Sequence, residues 1–220
     1  DEAAMRPLVE QYLASLPSLG RKETWKNVGI DPPKGVVTKR VEKGIEPKSR
    51  ASINFTGAFQ YDQTQRVAIR ALAMVLGTRL REVLREDLGG TYSVNASATY
   101  TKLPDPEYQL TIDFGCNPDR TESLVKTVFQ EIERLRTDGP SEKQVSDVRE
   151  TLLRDFETNI KQNGYLLTQI AGKYEYGEEP ETLLLVPEFY KKLTPASLHA
   201  AAKTYLDTNT YVLVTLFPVK

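Results

Sequence analysis

From Gly35 onward the apolar positions of this chain change period several times, and each change marks an element. Val37 and Val41 alternate with polar neighbours, Gly44-Ile45-Glu46-Pro47 reads as a turn, and residues 49–57 set Ala51, Ile53 and Phe55 on one face of a second strand. From Asp62 the spacing becomes helical, with Val67, Ala71, Leu72, Val75, Leu76, Leu80 and Leu84 in one stripe. Gly89-Gly90 is expected to close this helix, because glycine takes the left-handed conformation that ends helices. Two strands follow, one faced by Tyr92, Val94, Ala96, Ala98 and Tyr100, the other by Tyr108, Leu110, Ile112, Phe114 and Cys116. The turn Leu103-Pro104-Asp105-Pro106 joins them as an antiparallel hairpin with one buried face.

The remainder reads as helices and a closing strand. Residues 119–137 carry Leu124, Val125, Val128, Phe129, Ile132 and Leu135, and stop at Asp138-Gly139-Pro140. Ser141 caps the next helix, with Gln144 at the reciprocal capping-box position and Val145, Val148, Leu152 and Phe156 inward. This helix is expected to break near Asn163-Gly164 and resume through Leu166, Ile170 and Tyr174. Shorter helices over 181–192 and 195–206 precede the apolar strand Tyr211 to Phe217. Strands that pair antiparallel, with helices gathered on one side, predict an α+β fold: a two-layer sandwich of a mostly antiparallel sheet and helices on one face.

Ahead of all this, residues 3–16 have helical spacing in Met5, Leu8, Val9, Tyr12 and Leu13, and a polar stretch runs from Ser18 to Gly35. The expected division is a helix and linker belonging to a preceding domain over 1–24, and one domain over 25–220.

Composition narrows the function classes. A chain of 220 residues buries roughly 70% of the surface its unfolded form exposes, so it needs no staples. With 29 basic and 30 acidic residues the formal charge is −1, which argues against a general nucleic-acid or anionic-membrane binder. One cysteine excludes an internal disulfide framework. No apolar run approaches the ~20 residues that span a bilayer, and Asp1-Glu2-Ala3-Ala4 shows no signal peptide.

The chemistry inventory is short. A catalytic zinc takes three protein ligands, and the H-E-x-x-H and H-x-x-E-H motifs need two histidines, whereas this chain has only His199. His199 lies inside a helical stretch and reads as a surface or core-edge residue. Cys116 ends an apolar strand face and reads as a buried, inert thiol. There is no G-x-S-x-G elbow, P-loop or dinucleotide fingerprint. Arg85 and Tyr92 remain, flanking the turn between the long helix and the hairpin. As structural residues, Arg85 would face the helix dipole, worth roughly 0.3–1 kcal/mol, and Tyr92 would bury its ring and bond its hydroxyl. As functional residues, both would project into one cleft, a guanidinium and a phenol suited to a peptide carboxylate or carbonyl.

The segment Leu84-Arg85-Glu86-Asp87-Leu88-Gly89-Gly90-Thr91-Tyr92-Ser93-Val94 resembles the Leu-Arg-Glu-x-x-Gly-x-x-Tyr-Ser-Val segment of the M16 (pitrilysin-like, inverzincin) zinc peptidases and mitochondrial processing peptidases. Val9 to Pro17 is similar to the helix and Ser-Leu-Pro that precede such a domain, and Lys43 to Ser49 with Ile53-Asn54-Phe55 resembles its first strands. The resemblance runs from about residue 8 to 218. It implies related α+β domains closing as two halves over a peptide chamber, one half with the H-x-x-E-H zinc motif and the other without it. This chain resembles the second kind, the C-terminal inactive domain of a bacterial zinc protease. Arg85 and Tyr92 match the family's Arg and Tyr that reach across to the substrate; Gly90-Thr91 departs from the Leu-Ala of many relatives.

The resemblance therefore implies substrate binding by Arg85 and Tyr92, no metal in this chain, and zinc on a partner half in the same polypeptide or another subunit. It also implies a peptide substrate, no activity in this chain alone, and a lean toward a bacterial periplasm or envelope. The alternative is a structural or interaction domain of the same fold. Peptide capture at an exposed sheet edge is a further mode to which no residues are assigned.

Overall fold

The computed structural model describes residues 1–24, 26–87 and 91–219; the side chains of residues 85–87, 91 and 92 lie outside the described set. The chain divides into two compact units, residues 1–30 and 31–220. In the first, α1 (Glu2–Val9) continues as a wider π turn over Glu10–Ala14 and buries no residue.

The second unit is a five-stranded mixed sheet with helices on one face. Its strands are β1 (Val36–Glu42), β2 (Ser49–Ala58), β3 (Thr91–Thr101), β4 (Glu107–Cys116) and β5 (Tyr211–Phe217), in the order β1-β5-β2-β4-β3. Three of the four pairings are antiparallel; β1 runs parallel to β5 at one edge. The alternation read in the sequence decides the layers. Ile53 of β2 stands between Ile112 of β4 and Leu213 of β5, and Phe55 stands opposite Leu110. Ile53, Phe55, Leu110, Ile112 and Phe114 are all buried under the helices. The opposite face is polar and self-bonded: Gln109 and Thr111 both donate to Asn54 Oδ1, at 2.9 and 2.8 Å.

The helical layer comprises α2 (Gln63–Arg81, continuing as a π turn to Asp87), α3 (Thr121–Thr137), α4 (Glu142–Asn159), α5 (Asn163–Glu175), α6 (Val186–Lys191) and α7 (Pro195–Tyr205). Three of these helices, α2, α4 and α7, start at a side-chain cap. Asp62 Oδ1 accepts from Gln65 N at 2.8 Å to cap α2, and Ser141 with Gln144 forms the expected capping box on α4; such caps are each worth roughly 1 kcal/mol. Gly139, at φ +75°, closes α3, where any side chain would be strained and would press on His199. Leu72, Leu76, Leu80 and Leu84 carry the α2 stripe into the core.

The helix resuming after Asn163 is turned differently from its sequence pattern. Tyr174 is 72% exposed and Leu167 71%, while the one buried residue of α5 is Lys173. Lys173 is paired there with Glu178, and Tyr165 and Leu166 of the same helix pack against the core.

Candidate functional site

The end of α2 and the start of β3 are each fixed by neighbouring elements. Along α2, Gly77 faces Ala96, where an added Cβ would sit 3.5 Å from the Ala96 Cβ, so helix and strand approach closely. Two residues on, Arg79 Nε donates to Glu131 Oε2 of α3 at 2.8 Å, and Arg134 Nη1 donates to Glu131 Oε1 at 2.9 Å. The hydrogen bond to Glu131 acts with that residue's charge, against partial burial, to push the Arg79 guanidinium further up. Beyond this clamp the helix widens into the π turn Glu82–Asp87 that contains Arg85; such turns recur at functional sites.

On the far side, Thr91 pairs with Cys116 and Ser93 with Gly115, so the register shifts across Tyr92. A bulge adds one residue to a strand, breaks the alternation and locally raises its twist, and bulges concentrate beside active sites. The alternation from Val94 to Tyr100 therefore does not run unbroken back to Tyr92. The backbone places Arg85 in the last turn of the helix and Tyr92 in the first residues of β3, while both side chains, and Gly89-Gly90 between them, lie outside the described residues.

Beside this turn, α2, β3 and the start of α4 enclose a cleft of about 680 Å³, within the ~300–1,000 Å³ usual for ligand sites. Met74 and Thr78 give it one wall, Asn95 a second, and Gln144 and Asp147 a third. Arg81 and Glu82, just before Arg85, also line it. The lining mixes apolar area with hydrogen-bonding side chains.

The ligand inventory does not fit zinc. Among the described residues no three of His, Cys, Asp and Glu gather, short of the three ligands a catalytic zinc needs. His199 Nε2 lies 2.8 Å from the Arg136 carbonyl, which requires that nitrogen to carry the proton and donate. Cys116 is buried with its Sγ 3.4 Å from Thr121 Oγ1, and burial pushes its thiol up, the opposite of what metal binding or nucleophilic attack needs.

Sequence reasoning missed two charged clusters. One is the Arg79–Glu131–Arg134 clamp. The other joins Arg66 of α2, Lys173 of α5 and Glu178: Arg66 Nη2 and Lys173 Nζ both donate to Glu178 Oε2, the first at 2.9 Å. Burial works to raise the Glu178 carboxyl, and the two cationic hydrogen bonds outweigh it and hold it low. The signal available was Lys173 itself, the one cationic residue of α5.

Comparisons with known proteins agree with this architecture. The family model described as Peptidase M16 inactive domain matches residues 1–152. The probable zinc protease PqqL of Haemophilus influenzae is 24% identical over 210 residues, covering 93% of this chain and 22% of that protein. The structure of a protease from Helicobacter pylori superposes with a TM-score of 0.84 at 19% identity, covering 99% of this chain and 53% of that one. The periplasmic protease PqqL of Escherichia coli superposes at 0.77 with 19% identity, covering 100% and 24%. The chain thus spans 20–22% of the length of the curated relatives it matches first. A family model that matches more than half of the chain leads to one assignment: this chain belongs to the family of M16 peptidase inactive domains.

Proposed function

We propose that this chain is the non-catalytic domain of an M16-type metallopeptidase and helps enclose and orient a peptide opposite a zinc-bearing half, in the same polypeptide or a partner subunit. The observation that carries the reading is the α2–β3 turn: a clamped helix ending in a π turn at Arg85, a bulge at Tyr92, and a cleft alongside. In that role Arg85 supplies a forked donor to a peptide carboxylate or carbonyl, and Tyr92 a phenol to a developing oxyanion. The metal belongs to the other half. A periplasmic or envelope setting accompanies the reading, since the E. coli relative is a periplasmic protease. Residues 1–24 are assigned to a preceding domain, because a short helix with no buried residue is marginal in water.

The test is Arg85→Ala and Tyr92→Phe in the assembled peptidase. An interaction made only in the transition state lowers kcat and kcat/KM together, and loss of one such donor costs about 10²–10³-fold. Unchanged turnover in a normally folded variant defeats the reading. Stoichiometric tight zinc in this chain alone would defeat it as well.

A second reading, a structural domain with no part in substrate handling, is favoured by α5. Leu167, Ile170, Ala171 and Tyr174 recur at helical spacing on its outer side and are exposed. A helix apolar on both sides fits burial between two bodies, here an adjoining domain. Unchanged turnover of both turn variants selects this reading.

A further inference from the structure

A second cavity, of about 310 Å³, opens away from the α2–β3 turn, between the first turns of α2, the end of α5 and the start of α6. Arg66 and Lys173 stand in its polar wall together with Glu178 and Glu179; Leu185 and Phe189 form its apolar wall. Lys173 is 8% exposed, a burial that lysine reaches only when paired. Its partner Glu178 is shared: Lys173 Nζ and Arg66 Nη2 both donate to the same oxygen, Oε2.

One carboxylate oxygen therefore serves two cationic donors at this wall. A lysine carries three N–H groups and an arginine five. Beyond the two bonds to Glu178, Arg66 Nη1 reaches only the Tyr61 hydroxyl, at 3.4 Å, with the guanidinium 4.7 Å above that ring. Arg66 Nε is buried and has no partner among the described residues. Buried donors without acceptors are costly, by roughly 1–3 kcal/mol each, so native structures supply them with oxygen. An anion with two or more oxygens meets this need, and an apolar group attached to it would rest on Leu185 and Phe189.

We propose that this cavity binds the C-terminal carboxylate of a peptide whose last side chain is apolar, the carboxylate meeting Lys173 and Arg66 and the side chain meeting Leu185 and Phe189. The site does not depend on Arg85, Tyr92 or any metal, so its failure and the failure of the α2–β3 reading are separate events. Of the two carboxylates in the lining, Glu178 is already paired with both cations, and Glu179 opposes an anion weakly, because it is exposed and screened, whereas the two cations are largely buried.

The experiment is calorimetric titration of the full chain with N-acetyl-Ala-Leu, with its C-terminal amide, and with isovalerate. The acid peptide is expected to bind about ten-fold or more tighter than the amide, since a charge-assisted bond is lost. Lys173→Met removes the cation at similar volume and is expected to weaken the acid peptide by a similar factor. Leu185→Trp, on an exposed position, fills the apolar side without touching the core and is expected to abolish binding with unfolding temperature unchanged. Should Lys173→Met fail to fold, Leu185→Trp and the acid–amide comparison still decide. Equal binding of acid and amide, no binding of either, or binding of the acid unaffected by Leu185→Trp overturns the proposal. Isovalerate binding as tightly as the peptide also overturns it, by assigning the site to free carboxylates.

Discussion

Arg79 of α2 and Glu131 of α3 meet through a 2.8 Å hydrogen bond from Nε to Oε2, and Glu131 is only 5% exposed. The pair sets the end of the long helix at a fixed place on its neighbour, three residues before the π turn that carries Arg85. Glu131 is also bonded by Arg134, so both of its oxygens are engaged. Removing the carboxylate leaves two guanidiniums without their shared acceptor, at a cost of about 2 kcal/mol in the range for hydrogen bonds to charged groups. Glu131→Ala is therefore expected to lower the unfolding temperature by roughly 4–8 °C. Thermal unfolding by circular dichroism checks this, and an unchanged midpoint would deny the clamp any energetic role.

Acid sensitivity follows from Glu178. Its folded carboxyl is held below the ordinary value of 4.5: burial alone would raise it, but the hydrogen bonds from Lys173 and Arg66 prevail. A depressed carboxylate contributes stability above its unfolded pKa and loses that contribution as pH falls through the folded one. The wild-type chain is thus expected to lose stability as pH falls below about 4.5, and Glu178→Gln to lose less over the same window. Denaturant midpoints from pH 3 to 7 for both proteins measure the difference.

Alkaline behaviour is set by buried tyrosines. Burial pushes Tyr61, Tyr108 and Tyr205 up to about 12 from an ordinary 10.0, and Tyr205 donates its hydroxyl to Gln65 at 2.7 Å. Each holds its proton more tightly folded than unfolded, so the stability it contributes is full below pH 10 and declines as pH rises toward 12. Ultraviolet titration of phenolate absorbance is expected to show a late group near 12, and denaturant midpoints to fall above pH 10. A single titration of all tyrosines near 10 would contradict the packing of this cluster.

The outer side of α5 separates folding from assembly. Leu167 and Tyr174 are more than two-thirds exposed, so Leu167→Glu with Tyr174→Glu is expected to change the stability of this chain by less than about 0.5 kcal/mol. If the helix is covered by an adjoining domain, the same pair lowers the stability of the longer protein by several-fold more. Parallel unfolding of the two proteins distinguishes the cases, and equal small effects in both would show the stripe uncovered.

Much of the fold was legible along the chain. The stripe from Val67 to Leu84, the alternation from Tyr108 to Cys116 and the Ser141–Gln144 box appear as read, because each depends on residues at most a few positions apart. The candidate pair was legible as a motif and as the ends of two elements, and the family assignment agrees with that motif. Its surroundings were not. The bulge at Tyr92 is a property of register against β4, invisible in β3 by itself. Which side of α5 faces inward was not legible, because Ile170 and Tyr174 carry apolar side chains at helical spacing, while Lys173 is buried against Glu178, which Arg66 far upstream also bonds.

The sequence by itself determined the elements, their order, the two-layer class and the shortage of metal ligands, since periodicity and composition are local or additive quantities. Tertiary structure alone decided that β1 lies parallel to β5 and that the sheet runs β1-β5-β2-β4-β3. It alone joined Arg79 to Glu131 across 52 positions and Arg66 to Glu178 across 112. Such pairings arise when packing removes water from charges brought together by the whole fold, and a carboxylate that ends up buried between two cations looks, in the sequence, like any other surface glutamate.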